Sequence, residues 1–157
     1  MNSTAKRLED MGVRLPRPVA PVANYVSAAQ TGSLLFVSGQ LPTGADGKIG
    51  PAHLGKLGPG ASVEAASEAA RLCAINVLAQ AQAALGDLDR ITRVVRLGGF
   101  FAVEGRFEAL PRAMNGASDL MAQVFGERGR HARTTVGVAD LPLGAMVEVE
   151  GLFEIAP

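Results

Sequence analysis

Arg133 and Glu148 are the two residues of this chain whose types and placement could do chemistry together. A guanidinium grips a planar carboxylate with two parallel hydrogen bonds, which a lysine ammonium cannot do. A glutamate withdrawn from water has its pKa raised and can then exchange protons near neutral pH. Both residues lie in the segment RHARTTVGVADLPLGAMVEVEGLFEIA, residues 130–156. It reads as two apolar-alternating strands joined by an Asp-Leu-Pro-Leu-Gly turn. In the second strand Val147, Val149, Gly151, Phe153 and Ile155 point one way, and Glu148, Glu150, Leu152 and Glu154 point the other. The first set suits packing against helices, so Glu148 and Glu150 share the uncovered face. That face is either solvated sheet surface or, if another subunit covers it, a place where a carboxylate is desolvated. Arg133 has its own plain alternative, as one of a surface patch with Arg128, Arg130 and His131. A tight hairpin turning near Leu143 would leave Glu148 roughly 16 Å along the ladder from the residue facing Arg133. Either the two strands are not adjacent partners, or the two side chains meet in a cleft by another route.

Other candidates are weaker. Tyr25 is the only tyrosine and lies in the first extended segment. Ser38-Gly39 ends the run LLFVSG, where a glycine lets a ligand approach backbone N–H groups. His53 and His131 have no cysteine or acidic cluster at ligand spacing, so no metal site is expected. Cys73 sits in an alanine-rich helical stretch and reads as a small buried hydrophobe. GKLGPG lacks the strand-to-helix setting of a phosphate loop, and no nucleophile elbow is present.

The elements that must position these residues follow from pattern. Three prolines at 16, 18 and 21 enforce extended chain after a short polar helical start. Residues 24–30 and 33–38 look like a strand pair about Thr31-Gly32. Thr43 to Gly60 carries six glycines and two prolines, a long loop with room for a short strand near Lys48-Ile49. Ser62 caps a helix that keeps Ala66, Ala69, Ala70, Cys73, Val77, Ala81 and Ala84 in helical register and stops at Gly86. Ile91 to Leu97 alternates as a strand, with Gly98-Gly99 allowing a bend, and a second helix runs from Pro111 to Phe125. The order βββαβαββ predicts an α+β fold, a mixed sheet with two helices on one face and the other face free for a second subunit.

Fifteen basic residues balance fifteen acidic ones in a chain of 157, so no field steers it toward nucleic acid or an anionic membrane. No apolar stretch is long enough for a spanning helix or signal peptide, and a single cytoplasmic domain over residues 1–157 is expected, with 1–20 as an N-terminal extension. Aromatics are scarce and small residues abundant. Such a thin core favours oligomerisation.

The blocks NYVSA, LLFVSGQLP, AALGDLDRI, TRVVRL and HARTTVGVADLP followed by VEVE, covering nearly all the chain from Val22, resemble the RidA (YjgF, L-PSP) family. The resemblance implies a chorismate-mutase-like fold and a homotrimer with a ligand site in each intersubunit cleft. It implies Arg133 as the carboxylate-binding arginine, Glu148 as the glutamate that handles water, and Tyr25, Ser38 and Gly39 as cleft residues. Thr135 occupies a site position that is often cysteine in family deaminases, and Asn115 is an approximate counterpart of the family's asparagine, one residue out of register. The segments 53–60 and 98–111 look longer than in the shortest members. The implied activity is cofactor-independent hydrolysis of small 2-imino or 2-enamino acids to 2-oxo acids and ammonia. A non-catalytic trimer that binds a small carboxylate is the alternative reading, and an endoribonuclease the remote one.

Overall fold

The computed structural model describes residues 3–21 and 23–157. Met1, Asn2 and Val22, where the family resemblance begins, lie outside them. The elements are α1 (Thr4–Asp10), β1 (Ala28–Thr31), β2 (Leu34–Gln40), α2 (Val63–Leu85), β3 (Ile91–Ala102), α3 (Leu110–Phe125), β4 (Ala132–Val138) and β5 (Val147–Ile155). The sheet order is β1-β2-β5-β3-β4, antiparallel throughout except for the parallel pair β3–β4. Both long helices cover one face, as the apolar alternation requires.

Helix α2 starts and stops where its sequence says. Ser62 Oγ accepts from Ala65 N–H, and Gly86 ends the helix in the left-handed conformation at φ 77°. Its alanine stripe is buried as far as Ala81, while Ala84 is exposed. The small side chains bring α2 close to the sheet and to α3. A Cβ on Gly116 of α3 would lie only 1.9 Å from the Ser67 carbonyl oxygen of α2. Phe101, Val147, Val149 and Phe153 fill the layer between sheet and helices.

Three sequence expectations change. The third early strand is an isolated bridge between Thr43 and Ile49, because the glycine-rich loop folds on itself: Gly44 N–H donates to the Lys48 carbonyl and Lys48 N–H to Asp46. Gly98-Gly99 makes no bend. The register of β3 on β5 runs unbroken from Leu97 to Phe101, and its shifts fall earlier, between Ile91 and Arg96. These glycines instead make room for side chains, since a Cβ would meet Glu150 at Gly98 and Met114 at Gly99. Finally, β4 and β5 form no hairpin; β3 lies between them.

The N-terminal segment is fastened at two points. Asp89 accepts from Thr4 N–H at 2.8 Å and from Thr4 Oγ1 at 2.5 Å, and Leu8 enters the core. Further along, the buried Gln80 of α2 donates to the Val19 carbonyl. The Thr4 hydroxyl, then the Thr4 amide, hold the Asp89 pKa below its ordinary value. A depressed folded-state pKa stabilises the fold above the ordinary aspartate range, and the contribution is lost as pH falls through the lowered value. Asp89→Asn should therefore cost about 1 kcal/mol at neutral pH. Urea denaturation across pH should show the wild-type advantage shrinking in acid; an advantage independent of pH would disprove this assignment.

Candidate functional site

The parallel pairing decides where Arg133 goes. It sits on the edge strand β4, level with Leu97 of β3, and its side chain turns to the helix face. There Nη1 donates to Asn115 Oδ1 at 2.9 Å and Ser118 Oγ at 3.2 Å, and Nη2 donates to the Pro111 carbonyl at 3.0 Å. All three acceptors belong to α3, where Asn115 and Ser118 stand one helical turn apart. A guanidinium has five N–H donors. With three engaged, Nε–H and one Nη2–H remain without a partner among the described residues. They are donors on adjacent nitrogens, the kind of pair a guanidinium presents to a carboxylate.

Thr135 follows two residues later on the same face, level with Gly99. Its Oγ1 is buried and has no hydrogen-bond partner among the described residues. Arg133, Asn115 and Thr135 thus form one group beside α3.

Glu148 belongs to a different place. It lies on the central strand β5 opposite Phe100, on the face the helices leave open. The carboxylate is laid over Gly39, where an added Cβ would fall 2.0 Å from Glu148 Oε1. Burial first, and the neighbouring Glu150 charge second, push its pKa up from the usual carboxylate range. Glu150 differs in having a cation, with Arg96 Nη1 at 3.1 Å. No cation pairs with Glu148 among the described residues.

Gly39 owes its position to an irregularity in β2. The pairing on β5 shifts between Val37 and Gln40, and the Gln40 amide donates back to the Ser38 and Gly39 carbonyls at 3.0 and 3.3 Å. Gln80 in turn donates to Gln40 Oε1 at 3.3 Å. Ser38 Oγ is occupied by the Val26 carbonyl at 2.8 Å, which ties the strand to the residue after Tyr25. Tyr25 itself is 51% exposed. Ser38, Gly39 and Glu148 make a second group, with Tyr25 on the chain tied to it.

The two groups do not meet within one chain. Glu148 is three residues along the ladder from Arg133 and two strands away, roughly 10 Å in each direction, and the side chains leave opposite faces. This resolves the alternatives left by the sequence: the strands are not partners, and a shared cleft requires a second copy. The basic patch also dissolves into separate contacts. Arg128 donates to the Ile91 carbonyl, Arg130 pairs with Glu127, and His131 bonds Ser118. Sequence reasoning missed Ser118, Gln40 and Gln80. The helical spacing of Asn115 and Ser118 was the available signal for the first.

Comparison with known proteins agrees with this architecture. The family model described as "YjgF/chorismate mutase-like, putative endoribonuclease" matches residues 5–155. Protein TCP17 of Trypanosoma cruzi is 49% identical over 152 residues, covering 96% of this chain and 93% of its own length. The crystal structure of Atu1372 from Agrobacterium tumefaciens, described as of unknown function, is 47% identical with a TM-score of 0.88, covering 98% of this chain and 92% of that one. A Shewanella oneidensis MR-1 structure, described as a "putative endoribonuclease", is 36% identical with a TM-score of 0.93, covering 98% of this chain and all of its own, 100%. With the mixed five-stranded sheet and its two covering helices, these matches establish that the chain belongs to the YjgF/chorismate mutase-like family, the RidA family.

Proposed function

We propose that this protein is a metal-independent hydrolytic deaminase of small 2-imino and 2-enamino acids, working as a homotrimer. The observation that carries the reading is the complementarity of the two groups. One offers an arginine with a pair of unused donors, the other a half-buried carboxylate with no cation among the described residues, and neither completes a site alone. Packing the open face of one copy against the β4 edge of another would bring them together. Phe36 and Val136, 46% and 39% exposed, are apolar residues on the open face that such packing would cover.

In that cleft Arg133 holds the substrate carboxylate. An enamine first tautomerises to the imine, whose C2 is electrophilic. Glu148 takes a proton from water as the water oxygen bonds to C2 of the protonated imine, giving a neutral carbinolamine and a protonated Glu148. Glu148 then delivers that proton to nitrogen and takes the hydroxyl proton as the C–N bond breaks, so that the carbinolamine oxygen becomes the carbonyl of a 2-oxo acid and ammonia leaves. Such imines hydrolyse unaided, so positioning and one acid–base group suffice. The endoribonuclease label on the family draws less support from this chain, whose formal charge is zero and which has no tryptophan and one tyrosine.

Light scattering at micromolar concentration should give three times the 16.2 kDa chain mass; a stable monomer would remove the shared cleft. Arg133→Lys should weaken binding of a small 2-oxo acid by about 1.5–3 kcal/mol in calorimetry, and unchanged affinity would return the arginine to a structural role. Glu148→Gln should bind that acid nearly as well while hydrolysing 2-aminoacrylate roughly 10²-fold more slowly, with Glu150→Gln as the milder control. If no variant or wild-type protein accelerates pyruvate release, the chain is a carboxylate binder instead. Stability should move the other way. The raised pKa of Glu148 means a contribution present in acid and lost as pH rises through the folded value. Glu148→Gln should therefore gain on wild type in thermal melts as pH rises.

A further inference from the structure

We infer that His131 is a positioning residue for Arg133, acting through Ser118. The inference rests on the reading of Arg133 as the carboxylate anchor. His131 Nδ1 lies 2.6 Å from the Gly129 carbonyl, and its Nε2 lies 2.9 Å from Ser118 Oγ. A carbonyl only accepts, so in the neutral ring Nδ1 carries the proton and Nε2 presents a lone pair. The Ser118 hydroxyl must then donate to Nε2, which turns its own lone pairs toward Arg133 Nη1 at 3.2 Å. The chain of donors has one direction: guanidinium to serine, serine to imidazole, imidazole to main chain.

Its far end is rigid. A Cβ on Gly129 would stand 2.1 Å from the Met121 carbonyl oxygen and 3.0 Å from Ala122 Cα, so Gly129 is seated directly on the backbone of α3. Helix α3 therefore holds Arg133 twice, once through Asn115, Ser118 and Pro111, and once through the path from Gly129 and His131 to Ser118. If the Ser118 hydroxyl were free to rotate, its proton could point at the guanidinium, and the Nη1 contact would become repulsive. His131 removes that state. The effect is to keep Nη1 engaged and leave Nε–H and one Nη2–H free for a ligand carboxylate.

Two substitutions separate this role from simple scaffolding. Gln places an amide oxygen near the position of Nε2 and can accept from Ser118, but gives up the Gly129 bond. Asn places an amide N–H near Nδ1 and keeps the Gly129 bond, but cannot reach Ser118. Affinity for 2-oxobutanoate, measured by calorimetry, should fall about 5- to 10-fold in His131→Asn and stay within about 2-fold of wild type in His131→Gln. Thermal stability should rank them in the opposite order. In a Ser118→Ala background the difference in affinity between the two should vanish. The inference is overturned if Asn binds like wild type, if Gln is impaired as much as Asn, or if the difference persists without Ser118. Normal affinity in Arg133→Lys, run alongside, would instead overturn the carboxylate anchor on which it rests.

Discussion

The parallel pairing of β4 with β3 is the constraint on which the rest of the arrangement depends. A parallel neighbour requires a crossover, here supplied by α3, and the crossover helix comes to lie against the strand it introduces. Arg133 is thereby placed at a sheet edge with the start of α3 as its wall. The same pairing frees the other side of β3 for β5, which becomes central and carries Glu148 on the uncovered face. Had β4 turned back on β5 as a hairpin, both groups would stand on adjacent strands, far apart along the ladder, with no helix to orient the arginine.

The two groups are prepared in different ways. Arg133 is restrained by neutral acceptors, which fix its plane without cancelling its charge. Glu148 is half-buried and has no cation among the described residues, while its neighbour Glu150 takes Arg96. Both arrangements leave charge uncompensated in the isolated chain, which costs stability and favours any partner or ligand that supplies the missing interaction. Gly39 is part of the same preparation, since the carboxylate occupies the volume in which any other residue would hold its side chain.

Periodic features were legible in the sequence. Helix α2 was bounded correctly by Ser62 and Gly86, the alternation of β5 assigned its faces, and the second covering helix followed from Pro111 at its start. The order of strands was not, because it depends on contacts between segments tens of residues apart. The glycines show the difference in detail. Gly86 ends a helix for a local reason, so its neighbours announce it. Gly98 and Gly99 serve Glu150 and Met114, residues that no window around them contains. Ser118 and His131 escaped for a similar reason: a hydroxyl on a helix and an imidazole in an arginine-rich stretch gain meaning only once β4 is laid beside α3.

The alanine-lined contact between α2 and its neighbours has a consequence for the living protein. Where a glycine Cβ would fall 1.9 Å from a carbonyl oxygen, an added methyl group has nowhere to go without moving the backbone. Substitutions that enlarge side chains at Ala66, Ala69 or Ala70, all fully buried, change no site residue, yet they lower the folded fraction. The trait of such a change is a shortage of protein, with proteases and chaperones as the agents.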